Sequence, residues 1–260
     1  MLKPLAGILL TMCTATSMAA ELANARIVDL SHAFNAETLY WPTSPSRFEL
    51  HPLSHGQTEL GYFYSANTFS APEHGGTHLD APIHFFDGGE TVEQIPLTSL
   101  LGPAVVIDIT SQTAANADYR LSVDDVIAFE SVHGPIQPGT MVLLYSGWST
   151  RWPDARRYLG DDTQGDASNL HFPSFGAEAA QLLVVGRRVT VLGVDTASID
   201  YGQSRDFPVH RIAAEHHVIG LENLAHLDQL PPVGAEVIAL PIKIEGGSGA
   251  PARVIARLPQ

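Results

Sequence analysis

Residues 74–84 read His-Gly-Gly-Thr-His-Leu-Asp-Ala-Pro-Ile-His, and this run decides how the fold and the chemistry of the chain are interpreted. Its three imidazoles and one carboxylate are ligands that Zn²⁺ and Mn²⁺ accept in proteins. The neighbouring glycines Gly75 and Gly76, together with Pro82, make a helix unfavourable here. The segment is therefore predicted to be extended or looped.

Alternation along the run separates candidate ligands from packing residues. In an extended chain, side chains two positions apart share a face, so His78, Asp80 and His84 are predicted to project together. Leu79 has the opposite phase and faces the core, and the glycine pair allows a turn that brings His74 to the same point. Three ligands, His74, His78 and Asp80, would leave coordination positions open for water and substrate, as in a catalytic site. The alternative is a surface loop whose histidines are only hydrated, and the in-phase apolar residues argue against it.

The run resembles the H-x-G-T-H-x-D-x-P-x-H signature of the cyclase family of metal-dependent hydrolases, whose members include bacterial kynurenine formamidases and isatin hydrolases. The resemblance implies that His74, His78 and Asp80 bind a divalent metal ion. It also implies that His84 is the general acid and base that transfers protons during catalysis.

A second match to the cyclase family lies in the C-terminal half. His210 precedes Glu222 by twelve residues, and Glu222 begins the Glu-Asn-Leu sequence that the family shares. In the kynurenine formamidases of the family these positions complete a two-zinc site, so His210 and Glu222 are implied as further metal ligands. Without the resemblance, His210 is an ordinary helix histidine and Glu222 a surface carboxylate. Whether they bind a second ion or the substrate, and whether the metal is Zn or Mn, stays open.

The resemblance covers nearly all of the chain after residue 19, with further matching stretches at residues 146–148, 193–200, 240–244 and 246–249. It implies an α/β fold with a mixed, twisted, barrel-like β-sheet and flanking helices, and a homodimer. It also implies that the N-terminal region supplies aromatic walls to the pocket, so Trp41 is a candidate substrate contact. Asp195 and Asp200 are interpreted as hydrogen-bond anchors of a strand-end turn and not as catalysts.

Local sequence patterns favour the same α/β class. Segments rich in β-forming residues, mostly bounded by Gly or Pro, occur at residues 26–30, 62–70, 104–109, 140–145, 189–194, 236–244 and 253–257. Helices are predicted at residues 123–130, capped by Ser122 with Asp125, and at 177–188 and 209–217. Several strands are almost continuously apolar, which predicts a mixed sheet that is buried on both faces and can curl into a barrel. Residues 148–174 are predicted to form a long surface loop or lid.

The N-terminal residues have the pattern of an export signal. Lys3, the apolar residues 5–12 and the small residues up to Ala19 predict a secretory signal peptide at 1–19 and a single hydrolase domain at 20–260. A membrane anchor is the alternative, but the apolar stretch is shorter than the roughly 20 residues that a span needs. Lipidation at Cys13 is disfavoured by the bulky Met12 before it. The chain is therefore expected to be exported to the periplasm.

Composition restricts both the chemistry and the partners. Cys13 is the only cysteine, so a mature chain has neither a disulfide nor a thiol nucleophile. The formal net charge of −14 would repel nucleic acid and anionic lipid surfaces. A small organic molecule is the expected partner, with no nucleic acid and, once the signal is removed, no membrane.

The residues and the resemblance together predict a hydrolase of an aryl amide or lactam C–N bond. A divalent ion can lower the pKa of bound water from about 15.7 towards 7, and His84 would take up the water proton and return it to the leaving nitrogen. The export signal and the long segment 148–174 favour an isatin hydrolase-like enzyme that converts isatin to isatinate. The alternative is an arylformamidase that converts N-formylkynurenine to kynurenine in tryptophan catabolism. A non-catalytic metal- or ligand-binding protein is a further alternative, which the presence of His84 disfavours.

Overall fold

The computed structural model describes residues 25–258 of the 260-residue chain. The predicted signal peptide, residues 1–19, and Cys13 lie outside the described residues. The strands are β1 (Ile27–Asp29), β2 (Glu49–Gln57), β3 (Phe63–Ser70), β4 (His78–Asp80), β5 (Leu101–Asp108), β6 (Arg120–Leu121), β7 (Met141–Tyr145), β8 (Ser174–Phe175), β9 (Val191–Val194), β10 (Ile219–Glu222), β11 (Val233–Pro241) and β12 (Gly249–Arg257). The helices are α1 (Thr110–Ala115), α2 (Val123–His133), α3 (Ala155–Leu159), α4 (Ala177–Gln181), which continues as a π-helical turn (Leu182–Gly186), and α5 (Pro208–Glu215).

Seven of these strands close into a barrel. Their order is β12, β11, β5, β7, β9, β10 and β4, and β4 pairs with β12 to complete the circle. Strands β5, β7, β9 and β10 pair in parallel, whereas β4, β11 and β12 pair antiparallel with their neighbours. The predicted α/β fold with a mixed, barrel-like sheet is therefore confirmed. Strand β1 extends the sheet beside β12.

Strand β7 shows how the two main cores of the protein arise from one apolar run. Met141 and Leu143 belong to the cluster inside the barrel, while Val142 and Leu144 belong to the layer between the barrel and helices α2, α4 and α5. All four are at most 1% exposed. Because side chains alternate between the two faces of a strand, a strand that is buried on both faces has to be apolar throughout.

The predicted helices are present, with shifted ends. Helix α2 starts where predicted and runs three residues further, to His133. Asp125 N donates to Ser122 Oγ at 3.2 Å, and Ser122 N donates to Asp125 Oδ2 at 2.8 Å, which confirms the predicted cap. Helix α5 begins one residue early because Pro208 suits the first helical position, where an N–H is not needed. None of the helices within residues 25–258 is long and apolar enough to cross a membrane.

Each predicted β segment contains a strand, and β4 lies in the signature, which was predicted to be extended or looped, but four further strands were not predicted. Strand β2 contains Pro52 and lacks apolar alternation, because most of its residues are exposed on both faces. Strands β6, β8 and β10 are only two to four residues long. A pattern of period two cannot be recognised over so few residues.

The prediction that residues 148–174 form a surface loop or lid is wrong on both sides of the central polar tract, where short helices and buried aromatic residues occur. Trp148, Tyr158 and Phe172 are at most 1% exposed and belong to a third apolar cluster. Trp148 Nε1 donates to Tyr158 O at 2.7 Å, which satisfies the indole nitrogen in the interior. The polar tract 161–169 is mostly exposed, and its composition concealed the buried aromatic residues on either side.

Strands β2 and β3 form a separate two-stranded hairpin. Most of its side chains are exposed on both faces. Among its apolar side chains, Leu53, Leu60 and Phe63 are 67%, 84% and 56% exposed. The hairpin is thus a large apolar surface outside the barrel.

Candidate active site

Six titratable side chains from distant parts of the chain converge beside strand β4. Two lie on β4, one precedes it, one follows it, and two come from helix α5 and the end of β10. They are His74, His78, Asp80, His84, His210 and Glu222. Pairing between β10 and β4 places Glu222 opposite His78, so closure of the barrel brings the two sequence motifs together.

The glycine pair before β4 forms a turn that leads into the strand. Gly76 has a φ of 58°, in the left-handed region that favours glycine. A side chain on Gly75 would collide with the ring of Tyr40. The carbonyl oxygen of Gly76 accepts hydrogen bonds from His78 Nδ1 and Asn223 Nδ2, both at 2.9 Å. These bonds tie the turn to β4 and to the end of β10.

The extended chain that was predicted to continue through residue 84 ends at Asp80. Residues Pro82–His84 form a 3₁₀ turn, in which His84 N donates to Ala81 O at 2.9 Å. Proline favours this position because its fixed φ suits the first residue of a helical turn. The His84 side chain still reaches the site, since its ring stacks on that of His74 with 3.9 Å between the centroids.

A hydrogen bond to Gly76 outside the cluster shows which ring nitrogen of His78 faces the cluster. Nδ1 lies 2.9 Å from Gly76 O, and a carbonyl oxygen can only accept, so Nδ1 carries the proton. The inner nitrogen, Nε2, lies 3.2 Å from Asp80 Oδ1 and 3.4 Å from Glu222 Oε2. Among the described residues, Nε2 is buried without a hydrogen-bond partner. A buried lone pair that faces two carboxylates fits a bound cation.

His210 repeats this arrangement from helix α5. Its Nδ1 donates to Asp200 Oδ2 at 2.8 Å, and the Asp200 carboxylate also accepts the backbone N–H groups of Val209 and His210. Its Nε2 lies 3.2 Å from Glu222 Oε1 and 3.4 Å from Asp80 Oδ2. Asp200 is therefore an anchor, as predicted, and it orients His210 towards the two carboxylates.

His74 has a similar arrangement, but here Nε2 makes the outer hydrogen bond and Nδ1 faces the cluster. Its Nδ1 lies 2.7 Å from Asp80 Oδ1, and its Nε2 lies 3.0 Å from Ser248 Oγ. All three imidazoles thus have one nitrogen at an oxygen outside the cluster and the other directed at Asp80 or Glu222. Metal-binding histidines show this pattern because the outer hydrogen bond fixes the tautomer and the ring orientation.

The charges of the cluster also favour a cation. Asp80 and Glu222 are both 5% exposed. Burial opposes ionisation of Asp80, but His78 and His74 hold the pKa of this carboxyl well below its usual range. Burial likewise opposes protonation of His78, yet Asp80 and Glu222 raise the pKa of His78 to about 9. A divalent ion would supply the positive charge that the buried carboxylates need and would displace the His78 proton.

Two overlapping groups of ligand atoms share Asp80. One group is His74, His78 and Asp80, and the other is Asp80, His84 and His210, with the atoms of each group within 4.8 Å of one another. The first group is the ligand set predicted from the sequence. The geometry brings all the predicted ligands and the predicted catalytic residue together, and their individual roles stay predictions. The residues present fit a divalent metal ion.

His84 is the imidazole of the site that is held neutral. Burial lowers the pKa of His84 to about 4, and the partly compensating charge of Asp80 does not reverse this effect. At neutral pH the ring therefore has a free lone pair and can accept a proton. The neutral ring is the form in which a histidine can act as a general base.

A cavity of about 240 Å³ opens onto the cluster. Its wall away from the cluster is largely apolar and includes Leu39, Tyr40, Trp41, Phe85, Leu159 and Phe207. Trp41, the predicted substrate contact, lies in this wall, with its ring 6.3 Å from those of Phe172 and Phe207. The other wall residues were not predicted because they come from separate segments and share no motif.

Fold and site together define a class of α/β barrel proteins in which histidines and carboxylates around one strand form a metal centre beneath a small-molecule pocket. Residues 28–201 match the family model described as "Putative cyclase". The chain belongs to this cyclase family, which confirms the resemblance seen in the sequence.

Relatives of the chain in this family are hydrolases. The chain is 33% identical over 222 residues to the isatin hydrolase of Roseibium aggregatum, with 82% of each protein covered. It is 27% identical over 231 residues to the kynurenine formamidase of Salinibacter ruber, with 89% of this chain and 97% of that protein covered. The solved structure of isatin hydrolase A from Ralstonia solanacearum is 36% identical, with 97% of this chain and 100% of that chain covered and a TM-score of 0.85. The chain is thus an enzyme of a hydrolase family.

Proposed function

We propose that the chain is a metal-dependent hydrolase that opens the lactam C–N bond of a small neutral aromatic molecule, with isatin as the substrate and isatinate as the product. The observation that carries the proposal is the pocket, in which apolar and aromatic walls lead to a buried cluster of histidines and carboxylates. An apolar pocket with a few converging polar groups holds an aromatic amide with its carbonyl at the polar end.

The size of the pocket supports a small substrate. A volume of about 240 Å³ corresponds to roughly eight water molecules at their share of about 30 Å³ each in the liquid. A single bicyclic aromatic molecule fits such a space, whereas a peptide chain does not.

The charge of the pocket favours a lactam over N-formylkynurenine. None of the described residues that line it is Arg or Lys, and its one acidic lining residue, Glu222, belongs to the cluster. N-formylkynurenine carries an α-carboxylate and an ammonium group, which would need charged partners on leaving water. Isatin carries no charge. Arylformamidase activity is the second candidate because kynurenine formamidases are relatives at 27% to 31% identity.

Hydrolysis adds the elements of water across the C–N bond, so the carbonyl carbon gains an oxygen and the nitrogen gains a proton. When bound, a divalent ion would supply an acidified water and polarise the carbonyl oxygen. His84 accepts the proton of the attacking water and donates it to the nitrogen as the C–N bond breaks. Stacking on His74 holds the His84 ring in place for both steps. Leu159 and Phe207 line the pocket and limit the access of bulk water.

The test is one preparation of the full chain, stripped of metal and reloaded separately with Zn²⁺ or Mn²⁺. Isatin ring opening and N-formylkynurenine deformylation are measured on each form. We expect metal-dependent opening of isatin. Deformylation without isatin opening would move the assignment to the second candidate, and activity on neither substrate with metal bound would contradict both and support a non-catalytic binding protein.

The ligand set is consistent with one or two ions per subunit, of Zn or Mn. Asp80 has one oxygen near His74 and His78 and the other near His210, so it belongs to both groups of residues that would hold an ion. Metal analysis of the protein after reloading, together with His210→Ala, tests this. We expect two ions in the wild type and one in the variant, and one ion in both would restrict the centre to the first ligand group.

A homodimer would cover the apolar hairpin β2–β3. Exposed apolar side chains such as Leu53 and Phe63 are unfavourable in water, and self-association through one patch of each copy removes both from solvent. Sedimentation velocity tests the proposal. We expect a dimer for the wild type and a monomer for the double variant Leu53→Ser, Phe63→Ser, with Thr68→Ser on the same hairpin as the control.

Export to the periplasm is proposed from residues 1–19. Fractionation of cells that express the full chain, followed by N-terminal sequencing, tests it. A full-length chain in the cytoplasm would contradict the proposal.

A further inference from the structure

The residue that contacts the outer nitrogen of His74, Nε2, lies far from the signature in the sequence. Ser248, 174 residues away, lies just before strand β12, and its Oγ is 3.0 Å from His74 Nε2. Its carbonyl oxygen accepts from Ala81 N at 2.9 Å, beside the end of β4. The same residue thus contacts the candidate ligand through its side chain and the strand that carries Asp80 through its backbone.

Glu73 holds Ser248 in this position. Ser248 N donates to Glu73 Oε2 at 3.0 Å, and Ser248 Oγ donates to the same oxygen at 2.7 Å. Glu73 is the residue directly before His74, so one short segment supplies both the candidate ligand and the acceptor that orients the serine. Ser248 Oγ thus lies between Glu73 Oε2 at 2.7 Å and His74 Nε2 at 3.0 Å, and its one hydroxyl proton can point to only one of these two atoms.

These contacts determine the tautomer of His74 by elimination. A carboxylate can only accept, so the single hydroxyl proton of Ser248 points to Glu73. The hydroxyl oxygen is then the acceptor towards His74, and Nε2 must carry the proton. Nδ1 lies 2.7 Å from Asp80 Oδ1. A neutral imidazole has one N–H, so in a metal-bound ring Nε2 would keep the proton and Nδ1 would present its lone pair to the metal beside Asp80.

We propose that Glu73 and Ser248 are positioning residues of the metal centre, which hold His74 in the tautomer that is protonated at Nε2 and presents Nδ1 to the metal. The inference rests on the proposed metal-dependent hydrolase function and assigns to the C-terminal glycine-rich turn a role in metal affinity. Neither residue touches the substrate pocket, so both act through His74.

The test compares Ser248→Ala, Ser248→Thr and Glu73→Leu. The alanine removes the acceptor, the threonine keeps it, and the leucine removes the carboxylate that fixes the direction of the serine proton. The metal dissociation constant is measured by competition with a chelating dye, and kcat is measured at saturating metal. We expect Ser248→Ala and Glu73→Leu to bind metal about 10- to 100-fold more weakly, with a smaller change in kcat. Ser248→Thr should stay near the wild-type affinity.

Glu93→Leu is the matched control. Glu93 Oε2 accepts Gly246 N at 3.0 Å in the same turn, but its side chain makes no hydrogen bond to His74 or Ser248. If the effect came only from a loosened turn, this variant would weaken metal binding as much as Glu73→Leu does. Equal losses in the two variants would therefore overturn the inference.

The tautomer itself is read from nitrogen NMR of the zinc-loaded protein, labelled at histidine. We expect the His74 signals of an imidazole protonated at Nε2, and a ring protonated at Nδ1 would overturn the inference. Wild-type metal affinity in both Ser248→Ala and Glu73→Leu would overturn it as well, while leaving the proposed function intact. A wild-type chain without divalent-metal affinity would overturn the proposed function and this inference together.

Discussion

Gly249→Ala adds one methyl group beside the candidate metal centre. Gly249 lies on β12 opposite Asp80 of β4, and the added carbon would lie 2.4 Å from His74 Cε1, 2.9 Å from His74 Nδ1 and 2.8 Å from Leu79 O. Ordinary van der Waals contact begins at 3.4 Å. The His74 side chain therefore has to move, and β12 also has to shift away from Leu79 O on the strand that closes the barrel.

The displacement can be estimated from these distances. The ring has to retreat by about 1 Å to bring Cε1 to ordinary contact, which is about twice the tolerance of roughly half an ångström of a preorganised site. This movement lengthens the contacts of His74 with Asp80 and Ser248. We therefore expect the metal dissociation constant to rise at least about 10-fold, while overpacking lowers the free energy of unfolding by about 1–3 kcal/mol.

The assay is chelator competition for metal binding, with urea unfolding of the metal-free protein to separate affinity from stability. Gly102→Ala is the control, because Gly102 lies in β5, a strand of the same barrel, and an added methyl there would meet Gly139 O at 3.5 Å, an ordinary contact. The control should keep wild-type affinity. Wild-type affinity in Gly249→Ala as well would refute the reasoning that places His74 among the ligands.

Four further changes test the site and the fold. His84→Ala should retain metal and lose about 10²- to 10⁴-fold in rate, and metal content that fell with activity would make His84 a ligand. Asp80→Ala should abolish tight metal binding, and unchanged metal stoichiometry would contradict its assignment. Tyr158→Phe should lower the free energy of unfolding by about 1–3 kcal/mol, because the single proton of the Tyr158 hydroxyl can be donated to either of two buried oxygens, Asp195 O or Asn223 Oδ1; a smaller loss in urea unfolding would show that these oxygens find other donors. Arg187→Met should cost about 1 kcal/mol at pH 7, because Arg187 holds the pKa of Glu130 below its usual range. That stabilisation is present above the ordinary glutamate pKa and is lost as pH falls through the lowered value, so wild type and variant should unfold alike in urea at acid pH.

The barrel could be predicted from the sequence where a strand has enough residues to show a pattern. Strand β7 is an unbroken apolar run because both of its faces are buried, and helix α2 begins with a cap that the residues at 122 and 125 specify by themselves. These features depend on neighbours within a few residues. They therefore survive in the local sequence.

The conformation of the signature itself was only partly predictable. Alternation correctly places His78 and Asp80 on β4 around a buried Leu79. It fails after Asp80, because Pro82 starts a 3₁₀ turn and the histidine at 84 reaches the site by stacking. A rule of period two cannot anticipate a change of backbone conformation within the motif.

Contacts that depend on barrel closure left no local signal at all. Ser248 and Gly249 reach His74 only because β12 pairs with β4. By local sequence rules, a serine and a glycine in a glycine-rich turn indicate only a hairpin connection. Their importance comes from the register between two strands that are distant in the sequence.

The position of the candidate ligands on the closing strand links metal binding to the stability of the fold. Strand β4 has three residues and is paired on one side with β10 and on the other with β12. It carries Asp80, and its partner β10 carries Glu222 opposite His78, so two buried carboxylates contribute to one cluster where the barrel closes. Their desolvation opposes closure unless a positive charge compensates it, and a bound cation would supply that charge. A metal that binds only the folded chain stabilises it, and the gain grows with the logarithm of the metal concentration divided by the dissociation constant. The ion that would serve catalysis would therefore also stabilise the pairing of β4 with β10 and β12, where the barrel closes.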